Sequence, residues 1–267
     1  MPQQERSVRT IKDIEVIEKV PLAARLTVRS TYELIREAAA KDPERTAITL
    51  LPEGEQADRP VRLSYRALLS SIHQTANLLA DLGLGPQDVI ALLLPDLLET
   101  QVLLWGGQAA GIVCPIPPWL PAQQIVDLLQ AVKAKLLVAP GSQMSPELWQ
   151  KTELVRREVK GTTMVLQVRG VGKERDGAYA LDALLADYQA SRLHTEREIA
   201  PDDIAVYFPT RDTSGALSLV PLSHGNLLYA AWALGFVTTV RPEEVLLCSL
   251  SRFLKEGASG WLIGHLG

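Results

Sequence analysis

Residues 89–95, Val-Ile-Ala-Leu-Leu-Leu-Pro, form an unbroken apolar run closed by a proline. A strand whose successive side chains are apolar on both faces must be covered on both faces, as an interior strand of a parallel sheet is. The sequence on either side supports that reading. Upstream, Ser64 precedes a segment whose apolar residues Leu68, Leu69, Ile72, Ala76 and Leu79 recur at helical spacing until Gly83 and Gly85-Pro86 stop it. Downstream, helical patterns over Leu97 to Ala110, Ala122 to Val132 and Glu147 to Val159 alternate with the short apolar runs Ile112 to Cys114, Lys135 to Val138 and Met164 to Val168. Strands and helices alternating at this pitch describe consecutive βαβ units. Nearer the N-terminus, Ser30 to Glu33 has the form of a capping box opening a helix that Asp42-Pro43 ends. Thr46 to Leu51 then reads as a strand, with ADRPVRLSY as its partner. The expected fold class is α/β, a mainly parallel sheet flanked by helices.

The stretch most informative about chemistry is Ala205 to Asn226, AVYFPTRDTSGALSLVPLSHGN. A buried strand opens into a hydroxyl-rich loop, and a second short apolar run leads to a helix start. Thr and Ser hydroxyls beside a Gly-freed backbone can direct several N–H and O–H donors at one phosphate, which makes Thr210, Thr213, Ser214 and Gly215 candidate phosphate ligands. Arg211 offers paired donors of its own. The same residue types also serve turn chemistry alone, so the loop composition leaves both uses open.

Composition narrows the remaining choices. The chain has 267 residues, 47% apolar and 22% charged, enough for a sizeable core in one large domain or two subdomains. A net charge of −4 lacks the basic footprint of a nucleic-acid binder. Cys114 and Cys248 each sit in an apolar run, which fits buried free thiols in a reducing compartment, and no metal-ligand spacing is present. The charged N-terminal segment has no apolar h-region and no stretch reaches membrane-spanning length, so the expectation is a cytoplasmic protein without a transmembrane segment.

Other residues have plainer readings. His224 or Ser223 is placed to cap the helix GNLLYAAWALGF, while His73, His194 and His265 have no spaced partner. Trp105, Trp119, Trp149, Trp232 and Trp261 are scattered, as core or partner-facing aromatics are. Gly170 to Gly177 reads as a solvated loop, and Glu153 with Arg157 as an i,i+4 pair on a solvent face.

The loop at 205–226 closely resembles the phosphate-binding loop of the AMP-forming acyl-CoA synthetases, Thr-Gly-Gly-Thr-Thr-Gly-x-Pro-Lys. TYELIREAAAKDPERTAI, LSYRALLSSIHQTANLLADLGLGPQDVIALLLPDLLETQVLLWGGQAAGIVCPIPPWL and DDIAVYFPT resemble the same family in order and spacing. The resemblance spans nearly the whole chain, as a truncated N-terminal domain over 1–267 with 1–30 as an extension within it. It implies ATP with Mg²⁺, coenzyme A and a carboxylic or fatty acid as reactants, passing through an acyl-adenylate. The loop departs from the pattern: Arg211 and Asp212 replace two glycines, Leu217 the proline and Ser218 the lysine. Asp212 would bring a carboxylate toward a polyphosphate, and like charges about 4 Å apart repel by about 1 kcal/mol in water and about 4 at an effective dielectric of 20. The family's Pro-Leu-Phe-His segment falls near Ser251 to Leu254, where Phe253 alone agrees. The adenylate loop Tyr-Gly-x-Thr-Glu, the ribose-binding aspartate and the C-terminal lysine have no counterpart in these residues. The resemblance therefore implies a truncated relative with no catalytic residue and no bound cofactor of its own, or the N-terminal piece of a split or longer active synthetase. Its partner would be the missing C-terminal half or another chain. Apolar surface is then expected around Trp261 to Ile263 and the helix Leu227 to Phe236.

Overall fold

The computed structural model describes residues 9–21, 24–51, 59–159, 164–170, 174–175, 178–195, 197–211, 217–238 and 244–247. In chain order the elements are α1 (Ile11–Glu18), α2 (Thr31–Lys41), β1 (Thr46–Leu50), β2 (Val61–Ser64), α3 (Tyr65–Asp81), β3 (Val89–Leu92), α4 (Leu98–Ala110), β4 (Ile112–Pro115) and α5 (Ala122–Ala131). There follow β5 (Leu136–Pro140), α6 (Pro146–Glu158), β6 (Met164–Val168), β7 (Glu174–Arg175), β8 (Ala178–Ala180), α7 (Leu181–Leu185), β9 (Ile204–Arg211), β10 (Leu217–Ser223) and α8 (His224–Thr238).

Eight strands form one sheet in the order β10-β9-β4-β3-β5-β6-β8-β7. The six strands from β9 to β8 run parallel, and an antiparallel strand closes each edge. β3 lies inside, paired with β4 through Val89↔Ile112 and with β5 through Ile90↔Leu136. β1 and β2 make a separate antiparallel pair.

The period-2 geometry of the strands divides the core in two. Ile90, Leu92, Val113, Leu136 and Val206 face a layer that includes α2, α3, α4 and α8, whereas Val89, Ala91, Ile112, Cys114 and Leu137 face α5 and α6. Helices on both faces explain why the run at 89–94 has no polar side chain, and all six of its residues are buried. α3 and α4 pack closely at Gly106, where an added Cβ would lie 2.7 Å from the Thr75 side chain.

Local signals account for several helix ends. Ser64 Oγ accepts from Ala67 N, and α2 stops before Pro43. Ser30 Oγ accepts from Glu33 N as the capping box requires, but the Glu33 carboxylate takes Arg29 N, at 2.7 Å, instead of the Ser30 amide. Two other expectations need correction. The Gly170 to Gly177 stretch is not loop throughout, because Glu174–Arg175 pairs with β8. Glu153 pairs with Arg156 at 3.4 Å, three residues on, not with Arg157. The helix α1 in the charged N-terminal segment is an addition; its start is held by Asp13, whose carboxylate accepts from the amides of Arg9 and Thr10.

Candidate functional site

In open α/β sheets the ligand crevice lies beyond the carboxyl ends of the parallel strands. Here that rim is formed by the ends of β9 and β4, the loop after β4 and the first turn of α5. Thr210 and Arg211 close β9 and pair across the hairpin with Ser218 and Leu217. Thr210 Oγ1 donates to the Ser218 carbonyl at 3.5 Å, the long limit for such a bond. Arg211 Nη2 donates to Gln124 Oε1 in the first turn of α5, at 2.8 Å. This brings a guanidinium to the positive end of a helix dipole, an arrangement that the neutral amide oxygen of Gln124 makes tolerable. Ser218 stands exposed on the edge strand β10. Asp212, Thr213, Ser214 and Gly215 lie outside the described residues, so Thr210 and Arg211 are the predicted site residues that the structure places.

The loop beside Arg211 is fixed from below. Lys151 of α6 donates from Nζ to the carbonyls of Pro118 and Leu120, at 2.7 and 3.0 Å. Between those carbonyls Trp119 projects with 64% of its surface exposed, on the same rim as Gln124. No group of three or more potential metal-ligating side chains occurs among the described residues.

Ser223, not His224, caps α8. Its Oγ accepts from Asn226 N at 3.2 Å while Asn226 Oδ1 accepts from Ser223 N at 3.0 Å, a reciprocal cap with Asn in the usual Glu position. His224 is instead fully buried. Its Nδ1 lies 3.0 Å from Thr31 Oγ1, and Thr31 Oγ1 donates to Gln108 Oε1 at 2.7 Å. Burial, with the Arg197 guanidinium nearby, pushes the His224 pKa down to about 4, so the imidazole is neutral at pH 7. This cluster joins α8, α2 and α4 behind the hairpin. No local spacing signals it, because its members are 77 and 193 residues apart.

A second polar cluster was equally hidden from sequence reasoning. His73 bonds Tyr32 OH and the Ala190 carbonyl, Gln74 donates to the carbonyls of Leu185 and Tyr188, and Asn77 donates to those of Gln189 and Arg192. Three polar residues along α3 thus satisfy the backbone of the segment after α7. Cys114 is buried with its thiol pushed up to about 12, which makes it a packing residue; Cys248 lies outside the described residues. No helix among the described residues is long and apolar enough to cross a membrane.

Comparisons with known proteins agree with this architecture. The family model described as AMP-binding enzyme matches residues 35–266. A marinolic acid–CoA ligase of a Pseudoalteromonas species is 27% identical over 94% of this chain, and acetyl-coenzyme A synthetase of Salmonella typhi is 25% identical over 83%. The chain spans 39% and 34% of those relatives' lengths. Among solved structures, the inhibitor-bound N-terminal domain of FACL13 from Mycobacterium tuberculosis superposes with a TM-score of 0.72 at 21% identity, covering 90% of this chain and 55% of that one. A long-chain-fatty-acid-CoA ligase from Archaeoglobus fulgidus gives 0.71 at 18% identity, covering 88% and 45%. At those identities the superpositions establish the fold, a helix-flanked, mostly parallel sheet of the acyl-CoA synthetase N-terminal domain. With the family match running from α2 to within one residue of the end, the chain belongs to the AMP-binding enzyme family and corresponds to an N-terminal part of it.

Proposed function

We propose that this chain is the leading part of an AMP-forming ligase domain of the kind that joins carboxylic acids to coenzyme A, with residues 1–30 as an extension, and that it does not form acyl-adenylate by itself. The observation that carries this is the placement of Arg211. In the family pattern a lysine and paired glycines surround the polyphosphate, whereas here Arg211, in the place of the first of those glycines, is bonded to Gln124 on α5 and the lysine position holds an exposed serine. Transition-state charge on departing pyrophosphate then lacks its main electrostatic partner. Thr210, with Thr213, Ser214 and Gly215, is a remnant of the ATP phosphate loop; Arg211 is the substitute phosphate ligand only if its bond to Gln124 gives way. ATP, Mg²⁺ and coenzyme A are reactants of the family, and the chain by itself retains none of them. A cytoplasmic location follows from the same reading.

The test is carboxylate-dependent exchange of pyrophosphate into ATP. No exchange and ATP binding weaker than micromolar are expected. Restoring Arg211→Gly, Asp212→Gly, Leu217→Pro and Ser218→Lys should tighten ATP binding modestly without turnover. Acyl-adenylate formation by the unaltered chain would overturn this reading. A second reading, the N-terminal piece of a split or longer active synthetase, is favoured by the intact sheet and by the open apolar face of α8.

A further inference from the structure

His224 and Arg197 each keep a buried hydrogen-bonding atom that no group among the described residues meets, His224 Nε2 and Arg197 Nη1. Both residues stand about Asp203. Its backbone carbonyl accepts from His224 N at 3.0 Å, and its carboxylate accepts from Arg197 Nη2 at 3.3 Å and from Ala200 N at 3.1 Å. The Arg197 guanidinium is close enough to the imidazole to help hold it neutral. The ring is fully buried, whereas the Arg197 side chain is 12% exposed, so a path from solvent runs along the arginine.

The hydrogen on the ring can be placed. Thr31 N, a first-turn amide of α2 that can only donate, points at His224 Nδ1 from 3.3 Å, and Thr31 Oγ1 spends its hydrogen on Gln108 Oε1. Nδ1 is therefore the acceptor, and a neutral imidazole then carries its hydrogen on Nε2. A guanidinium nitrogen donates in every state. Both unmet atoms are thus donors, and a buried donor left unmet costs more than a made bond contributes. The backbone acceptors beside them are committed: apart from the Asp203 carbonyl, that of Pro201 takes Gly225 N at 2.7 Å and that of Ala200 takes Asp203 N at 3.1 Å. A water would bring two further donors to a place whose acceptors are taken. A monatomic anion brings none. The Asp203 carboxylate opposes a second negative charge, but it binds the other guanidinium nitrogen and leaves Nη1 to the anion.

We propose that Arg197 Nη1 and His224 Nε2 form a site for a single halide ion, chloride by availability, which ties the junction of β10 and α8 to the segment 197–203.

The experiment titrates the full 267-residue chain with sodium chloride or sodium bromide at neutral pH, with sodium gluconate holding the ionic strength constant. The nitrogen-15 signal of His224 Nε2 should show an attached proton and shift saturably with either halide. The thermal midpoint should rise by about 3 °C for each tenfold of halide above the dissociation constant. Arg197→Met, which keeps the stem and removes the donors, should abolish both responses. Arg66→Met, at an exposed guanidinium paired with Glu44, should keep them. If Arg197→Met does not fold, the His224 signal of the parent chain decides alone. A proton on Nδ1, a His224 signal indifferent to halide, as a water in the site would leave it, or a halide response retained in Arg197→Met would each overturn the proposal.

Discussion

α3 and α8 lie on the same side of the sheet and contribute to the same core, yet their outer faces differ. α3 buries Leu68, Ile72 and Leu79 inward, and its polar His73, Gln74 and Asn77 hold the segment at 185–194. α8 buries Leu227, Leu228 and Ala231 inward and leaves Tyr229, Leu234 and Val237 exposed. Both helices are anchored by apolar contacts worth about 1.5–3 kcal/mol for each fully buried large side chain. Among the described residues α3 is covered on both sides, whereas α8 is covered on one.

The sharpest way to break the comparison is a matched pair of truncations. Leu68→Ala removes a fully buried side chain and should cost about 2–5 kcal/mol, by transfer and cavity terms together. Leu234→Ala should cost less than about 1 kcal/mol, because the side chain already meets solvent. Urea unfolding measures both. Equal losses would mean that α8 is as enclosed as α3.

The two helices also titrate differently. His224 at the start of α8 has a folded pKa near 4 against an ordinary 6.5, so between these values the unfolded chain binds more protons. Stability is therefore fully present above pH 6.5 and falls as the pH drops toward 4, by about 3 kcal/mol from this residue. His73 on α3, lowered mainly by burial and partly held up by the Ala190 carbonyl, acts in the same direction. His224→Asn should flatten the slope measured by thermal unfolding between pH 4 and 6.5, leaving the share of His73. An unchanged slope would place the titration elsewhere.

Asn77 tests the covered outer side of α3. Its amide donates to the Gln189 and Arg192 carbonyls, and its Oδ1 accepts from His194 N at 2.7 Å. Asn77→Ala should cost about 2 kcal/mol, since three backbone groups lose their partner. Limited proteolysis should then cut within 185–195 faster than in the parent. Unchanged cleavage would show that the segment is held by its apolar contacts instead.

These residues show where sequence reading stops. The interior position of β3 was legible because both of its faces are apolar, and helix starts at Ser64 and Ser30 were legible because capping is local. The β7 strand in a glycine-bounded stretch was missed because its pairing with β8, not any strand pattern of its own, defines it. At the candidate site, the loop residues and Arg211 were singled out by type, but the bond from Arg211 to Gln124 spans 87 residues and depends on the meeting of β9 and α5. The roles of His224 and Thr31 were hidden for the same reason.

The smallest expected effect concerns a detail that α3 has and α5 lacks. α3 ends with Gly83 at φ +80°, whose amide bonds the Ala80 carbonyl while Leu84 N bonds the Leu79 carbonyl. α5 ends in the same arrangement, Lys133 N to Gln130 and Ala134 N to Leu129, but the left-handed position at φ +52° is filled by lysine. A side chain there is strained by about 1–2 kcal/mol, while glycine would add about 0.5–1 kcal/mol of backbone entropy to the unfolded chain. Lys133 also contributes a few tenths of a kcal/mol as a cation beyond a helix C-terminus. Lys133→Gly should therefore stabilise by about 0.5 kcal/mol, and Gly83→Lys should destabilise by about 1, both read from urea midpoints. A loss of stability in Lys133→Gly would mean that the lysine holds the end of α5 through its charge more strongly than its backbone strains it.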